Sequence, residues 1–358
     1  MKETFVRVVI ILNILLNFSS HLAATNSMKA TKSETSHEKT TGTTTICELK
    51  DDKKAAYSFT TDDGNYVAIQ YYNEDFKRLN LNGSMALITS KLAGHEQEFI
   101  KIVSEGHFDV TNHSMTHPKF PLVVDTVALE NEIDGSQQLL KSIFKGQDVI
   151  TMANPFVANC NLSDSIIIKR HFAARNGGTG YNSLHPTENE WYRLKYVSTY
   201  NYDKNVSSTA LDLNTAVNTA LKGGKWLIIL AHGLGNGRNS IPKEEITSHF
   251  EYVAAKSDSV WCGTFNDVTK YIREKQHAMI AIKETNSSKI VVSLSHDLDA
   301  NIFIFPLTIK TEVPSKWKNV KVTQNGKSKM IRVKNTNGIS SVYYEAIPNQ
   351  GDITLGCY

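Results

Sequence analysis

Residues Tyr57–Gly64 have the sequence YSFTTDDG, an apolar and β-branched run that ends in two adjacent carboxylates and a glycine. The run predicts a strand over Tyr57–Thr61, so that Asp62 and Asp63 follow the point where the strand ends. Adjacent side chains of an extended backbone point in opposite directions, and one carboxylate can therefore hold a metal while the other takes a proton. An Asp-Gly turn that only closes the strand is the alternative for this motif alone.

Outward from this strand, short β-rich runs alternate with helical stretches. Repeated alternation predicts a mostly parallel sheet, and the number of units favours an α/β barrel over an open sheet. The further strands are expected over Met85–Thr89, Phe108–Asn112, Val149–Met152, Trp226–Ala231 and 259–262. The helices are expected around Phe76–Leu79 and over Glu96–Val103, Val127–Phe144, Leu211–Leu221, 245–256 and 265–274.

The helical pattern stops after about Thr285, and the rest of the chain is strand-like. The Asn325-Gly326 pair between two alternating runs is a strong hairpin signal. We therefore expect a small antiparallel β domain over residues 286–358. Its strands are predicted over 289–296, 301–312, 319–324, 328–334 and 341–347.

Length and composition indicate a globular protein: the 358 residues are 41% hydrophobic, enough to bury a large core. The 39 basic and 36 acidic side chains nearly balance, which argues against a nucleic-acid binder. A basic start, the apolar run Val8–Phe18 and small residues after it predict a secretory signal peptide over 1–24 and an extracellular protein. A retained membrane anchor is the open alternative; no later segment is apolar enough to span a membrane. Residues 25–46, rich in Thr, Ser and Lys, are expected to be a flexible lead-in.

Export permits disulfides, and the sequence does not choose among the three pairings of its four cysteines. It also permits glycosylation, and a sequon at Asn112 adjoins His113, where a glycan would block the neighbouring histidine; we expect this sequon to stay unmodified. The cysteines are Cys47, Cys160, Cys262 and Cys357. Further sequons are at Asn82, Asn161, Asn205 and Asn286.

Histidines follow two other predicted strands. His113 and His117 lie four residues apart in NHSMTHP, and their imidazoles can converge on one cation if the segment is a helical turn. The usual zinc-protease motif is excluded because Ser114 stands where that motif has Glu. His232 ends the most apolar strand, and Gly233 after it allows a close approach of substrate. A surface histidine pair and a packed core histidine are the respective alternatives.

Together, these residues fall at the carboxyl ends of different strands, the rim where parallel barrels carry active sites. One carboxylate and two histidines fill three metal positions and leave one open for water, whose pKa a divalent ion lowers to about 7. Asp62 and His232 remain as a base and an acid. The residues are Asp62, Asp63, His113, His117 and His232.

In this order, the motifs TTDDG at 60–64, HSMTH at 113–117 and LAH at 230–232 resemble the polysaccharide deacetylases of carbohydrate esterase family 4, the chitin and peptidoglycan deacetylase group. The resemblance covers roughly residues 55–285 and implies a distorted (β/α) barrel in a deacetylase domain over 47–285. It implies that Asp63, His113 and His117 bind one divalent ion, usually zinc, that Asp62 is the base and that His232 is the acid. The implied reaction is the amidase-type hydrolysis of N-acetyl groups from N-acetylglucosamine units. Chitin or its oligosaccharides are the first choice of substrate, and peptidoglycan is the alternative.

The sequence also departs from the family pattern. The family's third motif, Arg-x-Pro-x-Gly, is matched by MANPF at 152–156, which keeps Pro155 but not the Arg or Gly. The resemblance suggests the backbone N–H of Phe156 as the oxyanion donor, Arg175 from the next rim loop as the missing cation and Asp203 as support for His232. These departures leave two other functions open: a carbohydrate-binding protein without turnover, and a non-haem iron oxygenase, since two His and one carboxylate also suit Fe(II).

Overall fold

The computed structural model describes residues 42–358. The predicted signal peptide and most of the predicted lead-in lie outside these residues. The strands are β1 (Thr44–Ile46), β2 (Ala55–Thr61), β3 (Gly83–Leu87), β4 (Phe108–Asn112), β5 (Thr151–Ala153), β6 (Ala173–Thr179), β7 (Leu194–Ser198), β8 (Tyr200–Asn201), β9 (Val206–Ser207), β10 (Trp226–Ala231), β11 (Gly233–Leu234), β12 (Ser240–Ile241), β13 (Val260–Cys262), β14 (Met279–Thr285), β15 (Lys289–Ser295), β16 (Leu307–Glu312), β17 (Asn319–Gln324), β18 (Lys327–Arg332), β19 (Lys334–Thr336), β20 (Ile339–Ala346) and β21 (Ile353–Cys357).

Several helices begin at side chains that cap the free N–H groups of the first turn. Asn65 accepts a hydrogen bond from Ala68 N, and Thr209 and Thr264 act in the same way at two later helices. The helices are α1 (Tyr66–Leu79), α2 (Glu96–Ser104), α3 (Thr126–Glu130), α4 (Ser136–Ile143), α5 (Asn161–Arg170), α6 (Glu188–Trp191), α7 (Ala210–Gly223), α8 (Lys243–Ala254) and α9 (Phe265–His277). Within the described residues, none of the helices combines the length and the apolar character that crossing a membrane requires.

The predicted parallel barrel is confirmed. Its strands follow the order β2-β3-β4-β5-β6-β7-β10, and β10 pairs with β2 to close the ring. The barrel is distorted at β2, where two strands share one edge. β3 pairs with Phe59–Thr61, and β13 pairs with Ala55–Tyr57. All strands point the same way, so their carboxyl ends form one rim.

Successive side chains of a barrel strand point to opposite sides of the barrel wall, so buried clusters form on both sides. In β10, Trp226 and Ile228 belong to one buried cluster, while Leu227 and Ile229 belong to a second that includes residues of α1, α7 and α8. Every residue of β2, β3, β4 and β10 is buried. Coverage of both faces explains why the hydrophobic run of β10 is continuous rather than alternating.

The segment expected to be a rim loop that carries Arg175 is instead strand β6, which also includes most of the glycine-rich stretch 176–180. The expectation of a loop is wrong for a steric reason. A Cβ atom on Gly177 would stand 1.8 Å from the carbonyl oxygen of Arg193, so only glycine lets the backbone come this close to the segment before β7. The register between β6 and β7 shifts between Arg175 and Thr179.

Antiparallel sheets in the C-terminal region are confirmed, in the orders β1-β16-β20-β19 and β14-β15-β21-β17-β18. The Asn325-Gly326 hairpin joins β17 to β18 as predicted. The boundary proposed at 285/286 falls inside the β14–β15 hairpin, so the β region begins near Met279. Strands β14 and β21 were not predicted, because β14 is largely exposed and has no buried face for a pattern to mark.

Two further expectations are corrected. Thr44–Ile46, placed in the flexible lead-in, forms β1 and pairs with Ile309–Thr311 of β16, because a Thr-rich run suits an edge strand. The four cysteines, which export would allow to pair, are all free thiols in the described chain. Cys160 instead caps α5, where its sulfur accepts from Ser163 N.

Candidate metal centre and catalytic site

Asp63, His113 and His117 converge at the barrel rim. Asp63 Oδ1 lies 3.4 Å from His113 Nε2 and 3.5 Å from His117 Nε2. The ligand atoms of a tetrahedral ion held at about 2.1 Å are about 3.4 Å apart, so these separations suit one bound metal. Across residues 42–358, no other group of three or more His, Cys, Asp or Glu side chains is close enough to hold an ion.

Two buried ligand atoms lack any other partner. Neither Asp63 Oδ1 nor His113 Nε2 has a hydrogen-bond acceptor or donor among the described residues. An unpaired polar atom is costly to bury, and a cation between these atoms removes that cost. The residues present therefore fit a divalent metal.

The orientation of His113 is fixed from behind. Its Nδ1 lies 2.6 Å from the carbonyl oxygen of Ala153, the last residue of β5, and must carry the proton to donate there. The lone pair of the imidazole is then on Nε2, the atom that faces Asp63 and His117. Such carbonyl support is the usual companion of a metal-ligating histidine.

The histidine loop is not the helical turn that we expected. Ser114 and His117 have left-handed backbone angles, with φ of 67° and 66°, and His117 N donates to Ser114 Oγ at 2.9 Å. This tight turn, rather than helical spacing, puts both imidazoles on one side, with ring centres 4.7 Å apart. A non-glycine residue in this conformation is strained, and strain of this kind concentrates at functional sites.

An interruption in a helix supports the loop. The helix predicted over Val127–Phe144 is divided, because Asn131–Gly135 adopt the wider π form between α3 and α4. Within this turn, Glu132 accepts from both the N–H and the hydroxyl of Thr116, and the carbonyl of Ile133 accepts from Asn112. Wide turns of this kind are common beside functional sites.

The second carboxylate, Asp62, is held by Arg175. Arg175 Nη2 is 2.6 Å from both Oδ1 and Oδ2 of Asp62, and both side chains are buried. Burial alone would raise the pKa of Asp62, but Arg175, followed by His113 and His232, outweighs burial and holds the pKa below its ordinary value. Asp62 is therefore an ionised carboxylate beside the metal ligands, 3.8 Å from His113 Nε2.

The position of Arg175 explains the incomplete third motif. Counting back from Pro155, the pattern Arg-x-Pro would place its arginine at Ala153. Arg175 is the register partner of Ala153 on the adjacent parallel strand β6. The cation thus comes from one strand further round the barrel, as the sequence analysis suggested, although from a strand and not from a loop.

His232 follows β10 on the same rim and is half-buried. Burial lowers the pKa of His232, against the opposing influence of Asp62 and Asp63. Its Nδ1 is buried and has no hydrogen-bond partner in the described part of the chain. The suggestion that Asp203 supports this histidine is therefore wrong; Asp203 lies in the exposed turn between β8 and β9.

Phe156 adjoins the metal ligands through its ring. The side chain is 64% exposed, and its ring centre is 4.6 Å from that of His117. Phe156 and Val157 both have a φ of 55°, and Val157 occupies the place of the motif's glycine. The left-handed backbone that glycine would favour is therefore kept with other residues.

Two tyrosines near the site were not predicted. The Tyr196 ring lies 5.6 Å from the guanidinium of Arg175, and Tyr202 is half exposed on the turn between β8 and β9. Burial and then the Asp62 carboxylate raise the pKa of Tyr202 to about 12, and its hydroxyl donates to Asn239 Oδ1. Neither tyrosine lies in a recognisable motif, so only the fold could reveal them.

Comparison with known proteins gives a consistent picture. Residues 49–165 match the family model "Polysaccharide deacetylase". The chain is 25% identical over 325 residues to a gellan lyase from a Bacillus species, an alignment that covers 85% of this chain but spans only 13% of that protein.

Solved structures also resemble this chain. A polysaccharide-deacetylase-type protein from Mycobacterium smegmatis has a TM-score of 0.50 at 13% identity, covering 65% of this chain and 94% of its own. At this identity the likeness concerns the fold alone. A family 4 carbohydrate esterase from Streptomyces lividans gives a TM-score of 0.44 at 15% identity, over 59% of this chain and 93% of its own.

Proposed function

We propose that the chain is a metal-dependent amidase that removes N-acetyl groups from N-acetylglucosamine units of a glycan. The proposal starts from the match of residues 49–165 to the polysaccharide deacetylase family model. One observation carries the proposal above all others. Asp63, His113 and His117 are suited to hold a metal, and they lie beside the ionised carboxylate of Asp62. Asp62 is not one of the three ligands, because it is paired with Arg175. Hydrolysis needs both a metal and a base, and the rim supplies a place for each.

In this proposal, Asp63, His113 and His117 hold the ion. A divalent ion supplies a Lewis acid, which acidifies water and polarises an acetyl carbonyl. Asp62 accepts the proton of the attacking water, and it is ready to do so because its pKa lies below the ordinary value. Arg175 keeps that carboxylate ionised and fixes its direction through both oxygens.

Proton delivery and charge stabilisation fall to the other side of the rim. His232 gives a proton to the amine as the C–N bond breaks. The backbone N–H of Phe156 donates to the oxygen of the acetyl carbonyl as negative charge develops there. The exposed ring of Phe156, in contact with His117, offers a flat apolar surface beside the reacting group.

Chitin or chitooligosaccharides are the proposed substrates, with peptidoglycan as the second choice, and zinc is the proposed ion. These choices rest on the resemblance of the three motifs to the deacetylase group. Secretion through the predicted signal peptide, with glycosylation at exposed sequons, belongs to the same proposal. The match to the gellan lyase covers 13% of that protein, and its named activity is therefore not carried over.

One observation favours a second candidate, a carbohydrate-binding protein with little or no turnover. Nδ1 of His232 has no hydrogen-bond partner among the described residues, so no such bond selects the tautomer of the proposed acid. A histidine without this support is a poorer proton donor than one oriented by a second group. The complete set of Asp62, Arg175 and the three metal ligands favours the enzyme.

Acetate release from N-acetylglucosamine oligomers and from peptidoglycan, measured beside the metal content of the purified protein, tests the proposal. The enzyme releases acetate in proportion to bound metal, and Asp62→Asn stops release while the metal stays. A protein that binds the oligomers and releases no acetate at full metal occupancy is the binding protein instead. Turnover that stops without oxygen would indicate an iron oxygenase.

A further inference from the structure

A groove of about 1130 Å³ lies in the C-terminal β region, away from the residues of the barrel rim. One wall is the β17–β18 hairpin, the other comprises β19 and β20, and the turn at residues 50–53 completes it. The side chains that matter below are Lys53, Gln324, Lys327, Lys329, Lys334 and Tyr343. The volume exceeds the 300–1,000 Å³ of a typical small-molecule site, so the groove has room for several units of a polymer.

The segment that forms this wall is strongly basic. Residues 314–338 hold seven of the 39 basic residues of the chain and none of its 36 acidic residues. All seven are exposed. The rest of the chain carries more acidic than basic side chains, so positive charge is concentrated here. The seven are Lys316, Lys318, Lys321, Lys327, Lys329, Arg332 and Lys334.

The strand register separates the lysines that face the groove from those that do not. Val322 pairs with Lys329, and Gln324 pairs with Lys327, so these four side chains share one face of the hairpin. Val322 is buried and lines the groove, which directs the same face inward. Lys321 is one residue out of phase and lies on the opposite face.

The groove lysines lack anionic partners. In the part of the chain that the structure describes, Lys53, Lys327, Lys329 and Lys334 have no carboxylate within 4.0 Å, whereas Lys50 pairs with Glu345. Asp51 and Asp52 are the other acidic residues of the lining. Lys334 lies 5.4 Å from the centre of the Tyr343 ring, and Lys310 lies 5.8 Å from it. The lining holds five lysines against three carboxylates, so its net charge is positive and focuses a positive potential into the groove.

We propose that this groove binds an anionic polysaccharide, a chain whose sugar units carry carboxylates. The lysines would pair with the acidic groups, and the amide oxygen of the exposed Asn325 would accept from the sugar hydroxyls, whereas the Gln324 amide is already bonded to the backbone of Ile347. A single-stranded nucleic acid is the poorer occupant, because its binding sites offer several free aromatic rings for stacking and the ring of Tyr343 already lies near two lysines. A membrane is also disfavoured, since a flat bilayer cannot reach lysines that face into a groove.

Binding of the full-length protein to oligogalacturonates, measured by calorimetry, tests the proposal. The same oligomers after reduction of their carboxyl groups are the neutral control. We expect at least about tenfold tighter binding of the charged oligomer, given that each exposed charge pair contributes a factor of about two to five. A triple variant of the groove lysines, K327Q/K329Q/K334Q, should lose about tenfold in affinity.

The matched variant K316Q/K318Q/K321Q removes the same charge outside the groove and should change the affinity less than threefold. Equal losses in both variants would overturn the proposal, because diffuse charge would then explain binding. Equal binding of the reduced oligomer, or tighter binding to single-stranded DNA or to anionic phosphatidylserine vesicles, would also overturn it. If both variants have the melting temperature of the natural protein, a loss of affinity does not result from unfolding. The measurement requires no turnover, so the inference goes beyond the deacetylase proposal and its outcome is independent of it.

Discussion

Arg175 donates hydrogen bonds to both carboxylate oxygens of Asp62, at 2.6 Å from each, although 113 residues separate the two along the chain. The contact joins β6 to the end of β2 across the barrel rim. Both groups are buried, so each needs the other to offset the cost of leaving water. The strongest predictions concern this pair and the ligands beside it.

Asp62→Asn should abolish deacetylation and leave the metal in place. The amide is nearly the same size but cannot accept the proton of the attacking water, and loss of a general base costs about 10²–10⁴-fold in rate. Acetate release and metal analysis on the same sample measure both effects. A variant with the normal rate would show that Asp62 is not the base.

Arg175→Ala should move the acid limb of the pH–rate profile to higher pH. Without the guanidinium, burial raises the pKa of Asp62, and the carboxylate that must be ionised becomes protonated at a higher pH. Breaking a buried pair also costs about 3–5 kcal/mol of stability.

Two further variants keep this test decisive. Arg175→Lys retains the charge but not the position of Nη2, the one nitrogen that contacts Asp62; it should fold if the alanine variant does not, and should show a smaller shift. Arg193→Ala breaks a more exposed pair with Asp164 and should leave the acid limb in place. An unchanged limb in both Arg175 variants would contradict the role given to this arginine.

His113→Ala should lose the metal and the stabilisation that it provides. A ligand that binds only the folded state raises the free energy of unfolding, by about 2.7 kcal/mol at one hundred times its dissociation constant. Addition of zinc should therefore raise the melting temperature of the natural protein but not of the variant. His185→Ala, which removes an exposed histidine paired with Glu48, is the control. Equal zinc responses in all three proteins would rule out the proposed site.

Stability should fall in mild acid because of buried neutral histidines. Burial lowers the pKa of His249 to about 3, while the unfolded chain protonates near pH 6.5. The neutral His249 imidazole makes its full contribution to the free energy of unfolding above pH 6.5. This contribution is lost as the pH falls towards 3, by about 1.4 kcal/mol per pH unit. Tyr57 and Asn214, which bond to the two ring nitrogens, fit the neutral imidazole.

Denaturant unfolding between pH 4 and pH 7, in the presence of chelator, measures this slope. H249Q should reduce the slope by about one proton, and H95Q, which changes an exposed histidine, should not. If H249Q and the natural protein unfold with the same pH dependence, another group controls acid stability.

The barrel and most of the rim could be predicted from the sequence because their signals are local. Strands β4 and β10 begin and end as expected, since β4 is rich in the strand-forming residues Phe, Val and Thr, β10 is a continuous apolar run, and a histidine follows each directly. Their carboxyl ends meet in any parallel barrel, and this alone brings Asp63 near His113. The conformation of 113–117 was not predictable, because it depends on bonds from Met115 and Thr116 to Glu132, a residue of a later helical turn.

Contacts set by strand register were harder to predict. Arg175 was named from the sequence and contacts Asp62, but its strand was missed, because Gly177 and Gly178 indicate a loop until the close approach of Arg193 is known. The lack of a hydrogen-bond partner for His232 Nδ1 could not be predicted, because no sequence pattern indicates a missing contact. The basic groove needs the register of β17 and β18, which separates lysines that a simple count treats alike.

Strand β1 has a practical consequence for handling the protein. Thr44–Ile46 cover the outer edge of β16, the first strand inward in a four-stranded sheet. Cleavage by a protease after Ile46 would remove β1 and leave the backbone N–H and C=O groups on that edge of β16 unpaired. A second molecule could then pair with this edge, which promotes aggregation. Cleavage before Gly42 would spare that edge, so the safe limit for trimming lies within a few residues.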